Sequence, residues 1–304
     1  MRVFVTGASG FIGSAVVREL IDAGHQVVGL ARSDQGAALI ADAGAEVHRG
    51  ALDDLDSLSS GAATADGVIH TAYIHDFSRM ADAAQADQRA IETLGAALEG
   101  TGRPLVITTG TALVKPGSVA TEDDAMDPAT VVHPRAGAEP LAKALATRGV
   151  RASIVRPGAS VHGEGDHGFV PFLIGVARTK GVSGYIGDGA NRWPAVHRLD
   201  AAHLYCLALE RAPAGSVLHA VGEEGLPTRE IAKVIGRHLN VPTAAIARED
   251  AAEHFGWLGA FFGLDAPASS SLTQQRLGWE PTHVGLIADL EQGHYFQQTR
   301  AAAA

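Results

Sequence analysis

The chain of 304 residues has ordinary globular composition, 46% hydrophobic and 19% charged, and is long enough for one large α/β domain or two smaller ones. Its formal net charge of −10, with no basic run, argues against nucleic acid and anionic membranes as partners. No apolar stretch approaches membrane-spanning length, and the single cysteine permits no internal disulfide, so a cytoplasmic location is expected.

Strand and helix patterns alternate through the first half of the chain. A buried strand, Val3–Thr6, follows Met1 so closely that no signal peptide is expected. A helix at Phe11–Ala23 comes next, and a long helix runs from about Phe77 to Gly100. Further strands are indicated by QVVGL, AEVHRG, GVIHTA, PLVITT and RASIVRP. Short apolar strands separated by helices predict an α/β fold, a doubly wound Rossmann-type parallel sheet with helices on both faces.

The pattern loosens after Pro157. Residues 158–197 are rich in glycine and are interpreted as a loop-rich region over a cleft. Residues 198–225 return to a helix and a late strand of the main sheet, and 226–304 indicate a smaller, mainly helical C-terminal lobe. We therefore predict a dinucleotide-binding domain of residues 1–157, to which 198–225 return. The substrate-binding lobe would comprise 158–197 and 226–304.

A glycine triplet lies between the first strand and the first helix. Gly7, Gly10 and Gly13 recur at three-residue intervals in VFVTGASGFIGSAVV. Glycine permits the tight turn, the close approach of backbone to a pyrophosphate and the close packing of helix on strand. Phe11 and Ile12 open the helix, whose free N–H groups and positive dipole face the phosphates. The triplet at this junction predicts a dinucleotide site.

The end of the second strand indicates which dinucleotide binds. NAD sites usually place an acid there for the ribose 2′-hydroxyl, whereas an arginine accommodates a 2′-phosphate. Here Arg32 and Ser33 follow the strand and can hold a phosphate by charge-assisted hydrogen bonds. Asp34 comes late and is interpreted as a cap of the next helix. The sequence therefore predicts NADP, with a solvated surface Arg-Ser pair as the alternative.

Four segments together resemble the short-chain dehydrogenase/reductase superfamily, in its extended or atypical branch of NAD-dependent epimerase/dehydratase-like proteins. These segments are TGASGFIG, VIHTAY, RPGASVHGEG and WPAVHRLDAAH. The resemblance covers nearly the whole chain. It implies that His70, Thr71 and Ala72 line the ribose side of the cofactor, that Leu52 and Asp53 lie near the adenine, and that Pro157 to Val161 wall the nicotinamide.

The family's chemistry depends on a tyrosine with a lysine four residues later, where the tyrosine exchanges a proton with the substrate oxygen. No tyrosine of this chain has a lysine at that spacing. Two alignments of PRAGAEPLAK are open: Glu139 and Lys143 at the two positions, or Arg135 and Glu139. Pro140 suits a first helical turn, so a helix is expected to begin or kink there. A structural role for all three charges is a third interpretation.

Other positions also depart from the family pattern. Asp87 stands where the family has an asparagine, and Thr109 at the mouth of a strand is a candidate hydrogen-bond donor to a substrate oxygen. His162 replaces an aromatic residue beside the nicotinamide and either reaches the substrate or is satisfied within the cleft wall. No metal is expected, because HTAYIH and VHGEGDH lack the spacing and third ligand of a metal site. Candidates for an apolar lid are Phe169, Trp193 and His197.

We therefore expect an NADP-dependent oxidoreductase that transfers hydride to a small or medium organic substrate, at a C=O, C=N or activated C=C bond. Without the family's tyrosine as proton donor, substrates that need little acid help are favoured. The alternatives are an epimerase or dehydratase that uses bound dinucleotide, and a non-catalytic NADP-binding regulator. The family often pairs subunits through two helices, here about 77–100 and 137–148, so the resemblance also implies a homodimer.

Overall fold

The computed structural model of the protein describes residues 1–76, 79–112, 114–126 and 134–297. Its strands are β1 (Arg2–Thr6), β2 (Gln26–Ala31), β3 (Glu46–Arg49), β4 (Gly67–His70), β5 (Pro104–Thr108), β6 (Arg151–Pro157), β7 (Ser160–His162), β8 (Ser183–Ile186), β9 (Arg192–His197), β10 (Val217–Ala220), β11 (Glu223–Pro227) and β12 (Thr243–Ile246). Its helices are α1 (Phe11–Asp22), α2 (Asp34–Asp42), α3 (Leu55–Ala63), α4 (Met80–Leu98), α5 (Ala138–Thr147), α6 (Phe169–Lys180), α7 (Arg198–Arg211), α8 (Thr228–Leu239), α9 (Ala251–Phe255), α10 (Gly259–Phe262), α11 (Ser271–Leu277) and α12 (Leu286–Glu291).

Seven strands form one sheet in the order β10-β6-β5-β4-β1-β2-β3. Every neighbouring pair in it is parallel. The strand order reverses between β1 and β4, since the chain first extends outward to β3 and then crosses back to the other side. In an open parallel sheet the ligand crevice lies at such a reversal, beyond the carboxyl ends of the strands. The predicted doubly wound sheet is confirmed, and the ends of β1 and β4 are the place to look for a site.

Helices bury both faces of the sheet, which explains why its central strands are continuously apolar. One hydrophobic cluster joins α1, α2 and α7 to one face, and a second joins α3, α4 and α5 to the other. Glycines allow the closest contacts. A Cβ at Gly61 in α3 would lie 2.5 Å from the Phe4 ring, and one at Gly95 in α4 would lie 2.4 Å from Leu145. The sequence therefore fixes the distance between helix and sheet at these points.

A smaller lobe is built around a separate core. It contains a three-stranded sheet of order β11-β9-β7, the parallel pair β12-β8 and the helices α6, α8, α9, α10 and α12. The prediction that residues 158–197 are mostly loop is wrong, because they form β7, α6, β8 and β9. The glycines that suggested a loop are turn residues with positive φ, such as Gly163 and Gly187, and the apolar run between the turns folds as α6.

Several other predicted elements are found close to their expected bounds. The late strand is β10, which pairs with β6, and the helix predicted before it corresponds to α7. Cys206 is buried in that helix, as its apolar neighbours indicate. The long helix runs from Met80 to Leu98, and its predicted start at Phe77 lies outside the described residues. Among the described helices, none has the length and apolar character needed to cross a bilayer.

Candidate cofactor and active site

The glycine loop folds tightly between β1 and the start of α1. Gly7 has φ 71°, and a Cβ there would lie 2.7 Å from the amide nitrogen of Ala72. A Cβ at Gly13 would lie 2.0 Å from the carbonyl oxygen of Gly7. Gly10 caps the helix with extended backbone, so the N–H groups of the first turn, including those of Phe11 and Ile12, have no partner within the helix. These features fit a pyrophosphate cradle.

The strand β4 is held against this loop by its last residues. The Thr71 hydroxyl donates to the Thr6 carbonyl oxygen at 2.8 Å, and the Ala72 N–H lies 3.4 Å from the Thr6 hydroxyl oxygen. Thr71 and Ala72 thereby lie beside Gly7, whereas the His70 side chain is fully buried behind them, and the implied contacts of all three with the cofactor ribose stay predictions. Since Thr71 and Ala72 are half-buried at the strand reversal, their backbone lines the crevice.

The predicted 2′-phosphate residues follow β2. Arg32 is exposed and makes no hydrogen bond or ion pair with any residue that the structure describes. The Ser33 side chain accepts a hydrogen bond from the Gly36 N–H at 3.1 Å and so caps α2, which leaves its hydroxyl proton free to donate. The prediction that Asp34 is the cap is wrong. Asp34 is the first helical residue and instead pairs with Arg49 at 2.6 Å.

On the adenine side, Leu52 and Asp53 follow β3, at the edge of the sheet. Leu52 is half-buried and packs on the cluster beneath α3, whereas Asp53 is exposed. Pro157 and Val161 lie on the other side of the reversal. The Pro157 carbonyl oxygen accepts from the Thr111 amide at 3.0 Å, and Val161 packs against the core cluster of α1 and α7. The implied contacts of these four residues with a cofactor stay predictions.

A buried polar chain runs behind the crevice. The Thr6 hydroxyl lies 2.7 Å from Nδ1 of His70, and Nε2 of His70 lies 3.2 Å from Oδ1 of Asp87. All three side chains are fully buried. Asp87, the residue at the family's asparagine position, therefore contacts His70 below the surface of the crevice. It also lies 3.8 Å from the guanidinium of Arg135.

Tyr73 stands in front of this chain, just beyond β4. The Cζ atom of Arg135 lies 4.3 Å from the centre of its ring, which is the geometry of a cation–π contact. Burial raises the pKa of the Tyr73 phenol, and the positive charge of Arg135 opposes that shift. The sequence places Tyr73 and His75 just after the fourth strand, at the edge of the sheet that faces the crevice, but Tyr73 has no lysine four residues later and so lacks the family's usual partner. Here the cation comes from a distant turn of the chain, which no local spacing reveals.

Glu139 forms a buried ion pair instead of an i,i+4 ladder. Arg156 of β6 donates to both of its carboxylate oxygens, from Nε at 2.7 Å and from Nη2 at 2.6 Å. The Thr109 hydroxyl donates to Oε1 at 3.0 Å, so in this arrangement its proton points to Glu139. Arg156 also contacts Nε2 of His219 at 3.2 Å. This arrangement ties the start of α5 to β6.

Lys143 lies one turn further along α5 and is exposed, with no hydrogen bond or ion pair to the described residues. The helix begins at Ala138 after a 3-10 turn, with Pro140 in its first turn, as its ring favours. Arg135 thus contacts the half-buried Tyr73, and Glu139 pairs with the buried Arg156. Lys143 lies at the surface. Whether Lys143 acts in catalysis stays a prediction.

His162 is fully buried in the smaller lobe. Its Nδ1 lies 2.9 Å from Oδ2 of Asp289, and its ring packs edge-on against His197 at 5.4 Å. His197 in turn stacks on His283, with ring centres 4.7 Å apart. Burial and the neighbouring histidines lower the pKa of His197 to about 4, so that ring is neutral near pH 7. The His162 Nε2 is buried and has no hydrogen-bond partner among the described residues, and both the contact of His162 with substrate and its place in a cleft wall stay predictions.

Aromatic side chains cluster where α6 begins. Phe169 lies 5.7 Å from Trp193 and 6.0 Å from Trp257, measured between ring centres. The predicted lid residues Phe169 and Trp193 are therefore neighbours, whereas His197 belongs to the histidine cluster. Two residues before Phe169, the ring of His167 lies 5.8 Å from Phe11, so the aromatic cluster begins close to the glycine loop.

A single group of three potential metal ligands occurs in the described part of the chain: His25, Cys206 and Glu210. His25 and Glu210 already pair at 3.0 Å. Burial and nearby carboxylates raise the pKa of the Cys206 thiol to about 12, which disfavours the thiolate that binds metals. The group lies beside the amino end of β2, away from the crevice, and we assign no metal to it.

Comparisons with known proteins extend these observations. Residues 3–221 match the family model described as "NAD dependent epimerase/dehydratase family". A Schizosaccharomyces pombe protein, C2A9.02, is 53% identical over 97% of this chain and 100% of its own length. A Stigmatella aurantiaca protein is 30% identical over 71% of this chain and 67% of its own length. Its name is 4-hydroxy-2-methyl-3-oxo-4-farnesyl-3,4-dihydroquinoline-1-oxide ketoreductase.

Among solved structures, a double mutant of DesIV is similar across almost the whole chain. This dTDP-glucose 4,6-dehydratase from Streptomyces venezuelae was solved with NAD bound. The TM-score is 0.79, the identity is 22%, and the match covers 99% of this chain and 98% of that one. At this identity the likeness shows the fold. It places the seven-stranded sheet and the smaller lobe in one known architecture.

Proposed function

Because the chain belongs to the NAD-dependent epimerase/dehydratase family, within the extended branch of the short-chain dehydrogenase/reductase superfamily, we propose that it is an NADP-dependent reductase. It would transfer hydride to a C=O, C=N or activated C=C bond of a small or medium organic substrate. When bound, the nicotinamide supplies the hydride. The chain supplies the cradle at Gly7, Gly10 and Gly13, and the groups that orient the substrate.

The observation that carries the choice of NADP is the environment of Arg32. Its cation is exposed beside the end of β2 and makes no ion pair with the described residues. In a site that binds NAD, a carboxylate at this position would accept a hydrogen bond from the ribose 2′-hydroxyl. Ser33 keeps a hydroxyl proton that can join it on a phosphate. NADPH that binds and leaves with each turnover suits a reductase. An epimerase or dehydratase instead keeps its dinucleotide bound.

We propose the same division of labour between the two parts of the chain as the sequence suggests. Residues 1–157 and 198–225 would bind the dinucleotide, and 158–197 with 226–304 would bind the substrate. The aromatic side chains of the smaller lobe favour substrates with an apolar part. This preference agrees with the farnesylated ketone in the name of the Stigmatella aurantiaca ketoreductase. A homodimer and a cytoplasmic location complete the proposal.

The test begins with the purified protein and its bound nucleotide. Fluorescence titration should give tighter binding of NADPH than of NADH, and a panel of ketones, imines and conjugated enones should include at least one compound whose reduction consumes NADPH. Tightly bound NAD with no net NADPH consumption would instead favour an epimerase or dehydratase. NADPH binding without turnover of any compound would favour a regulator.

A further inference from the structure

Tyr73 occupies the reversal point of the sheet. It follows β4 by three residues, and the residues between lie against the glycine loop at Gly7. The crevice of an open parallel sheet is bounded by the strand ends on either side of such a reversal, here β1 and β4. The ring of Tyr73 is half-buried, so one side packs on protein and the other remains accessible. A phenol is thus present in the crevice where the cofactor loop ends.

Arg135 holds this ring from the protein side. Its guanidinium lies 4.3 Å from the ring centre of Tyr73 and 3.8 Å from the carboxylate of Asp87. Asp87 is itself fixed by His70, which is hydrogen-bonded to Thr6 of β1. The cation is therefore positioned by buried groups on three elements. A fixed positive charge at this distance stabilises a phenolate more than it stabilises a phenol. The carboxylate of Asp87 acts in the opposite direction, and the ring of His75 lies 5.2 Å from the Tyr73 ring.

The other tyrosines are committed elsewhere or lie away from the crevice. The Tyr205 hydroxyl is fully buried and bonds to Thr108 at 2.7 Å. The Tyr295 hydroxyl donates to Asp166 at 3.0 Å. Tyr185 belongs to β8 in the smaller lobe. The Tyr73 side chain is half-buried at the end of β4, and its hydroxyl makes no hydrogen bond to the residues that the structure describes.

We propose that Tyr73 is the general acid of this enzyme and that Arg135 is the positioning residue that stabilises its phenolate. The inference rests on the proposed reductase function. As hydride reaches a carbonyl carbon, the C=O π pair moves to oxygen. The Tyr73 O–H bond then breaks, its proton forms the new O–H bond of the alcohol, and solvent returns a proton to the phenolate. Overall, one carbonyl compound, one NADPH and one proton become one alcohol and one NADP⁺.

The assignment changes the expected substrates. The sequence favoured substrates that need little acid help because no tyrosine had the family's lysine partner. A tyrosine supported by Arg135 supplies that acid from the other side of the crevice, at the end of β4 instead of on α5. Unactivated ketones then become suitable substrates.

The first test uses the protein without cofactor. Labelling tyrosine at 13Cζ gives one resonance for each of four tyrosines, and Tyr73→Phe identifies the signal of interest. Replacing Arg135 with Gln should raise the pH at which this resonance titrates, with proton affinity increased about tenfold or more. Arg135→Lys should restore part of the difference. A Tyr73 titration that is identical in wild type and Arg135→Gln would overturn the pairing.

The second test measures catalysis of ketone reduction. Tyr73→Phe should lower kcat by about 10²- to 10⁴-fold, the range for loss of a general acid, with the NADPH Kd unchanged. Because the acid must carry its proton, wild-type kcat/KM should fall as pH rises through the Tyr73 pKa, and this limb should move to higher pH in Arg135→Gln. Tyr185→Phe is the matched control and should retain full activity.

The outcomes separate the two proposals. Full ketone turnover by a folded Tyr73→Phe protein would refute the acid assignment and leave the reductase intact. Failure of the wild type to bind NADPH would refute the reductase, and with it the reaction assigned to Tyr73. Circular dichroism and thermal unfolding establish that each variant is folded before its rate is compared.

Discussion

Replacing Arg32 with alanine should remove most of the preference for NADPH over NADH while leaving the fold unchanged. The structure separates these effects, because the side chain is exposed and makes no hydrogen bond or ion pair with the described residues. The neighbouring Ser33 caps α2 and is therefore a poorer choice, since its loss would weaken the helix by about 1 kcal/mol as well. Arg32→Ala should change the free energy of unfolding by less than about 0.5 kcal/mol.

The magnitude follows from the contact that would be lost. A hydrogen bond from a charged donor contributes about 1.5–3 kcal/mol, which corresponds to roughly ten- to a hundredfold in affinity. The site is at the surface, so salt screens the interaction, and the preference should weaken as ionic strength increases. NADH binding should be nearly unaffected, because it carries no 2′-phosphate. The expected signature is a raised Kd for NADPH alone.

Fluorescence titration of both cofactors, at low and high salt, measures this difference. Arg49→Ala is the matched control: it removes the same charge one strand away, where Arg49 is already paired with Asp34. That variant should keep at least most of the NADPH preference. Equal affinity of the wild type for NADH and NADPH would refute the assignment of Arg32. An equal loss in both variants would point to a diffuse positive field instead of a specific contact.

Three further changes probe the loop, the ion pair and a buried histidine. Gly13→Ala should weaken NADPH binding at least tenfold and lower the melting temperature, because its Cβ would lie 2.0 Å from a carbonyl oxygen. Gly175→Ala is the control: its Cβ would have no neighbour within 4 Å, so neither quantity should change. Glu139→Gln leaves a buried arginine uncompensated and should lower the free energy of unfolding in urea by about 3–5 kcal/mol, whereas Glu99→Gln at an exposed pair should change it little. Burial lowers the pKa of His219 from 6.5 to about 4, so the unfolded chain takes up this proton at a higher pH than the folded protein does. The free energy of unfolding should therefore fall by up to about 3 kcal/mol as the pH drops from 6.5 to about 4. The fall should be smaller in His219→Asn.

The parallel sheet and the glycine loop could be predicted because both depend on local chemistry. The centre of β1 is buried on both faces and is formed by Val3, Phe4 and Val5, an apolar run that the sequence shows directly. The steric need for glycine at Gly13 is likewise local, because a Cβ there would meet the carbonyl oxygen of Gly7 in the same loop. Residues 158–197 were harder to interpret. Their glycines suggested a loop, although several of them, such as Gly163 and Gly187, mark only turns between regular elements.

The polar contacts of the site could not be predicted, because their partners come from distant elements. The spacing of Arg135, Glu139 and Lys143 suggested one helix face with alternating charge. A pattern of this kind reports which residues share a side of a helix. It does not show that Glu139 forms an ion pair with a buried arginine on β6, nor that a tyrosine beyond β4 lies against Arg135.

Arg135 and Glu139, which are four positions apart, therefore have different structural roles in this chain. Glu139 neutralises Arg156, a charge that burial would otherwise make very unfavourable, and thereby anchors α5 to β6. Arg135 lies outside that helix, in the turn before it, and reaches Tyr73 and Asp87 at the crevice. A lysine at position 139 would place two cations together in the core. The ion pair with Arg156 thus excludes a Tyr-Lys arrangement in that alignment, and it favours a proton donor outside α5, for which Tyr73 has the geometry.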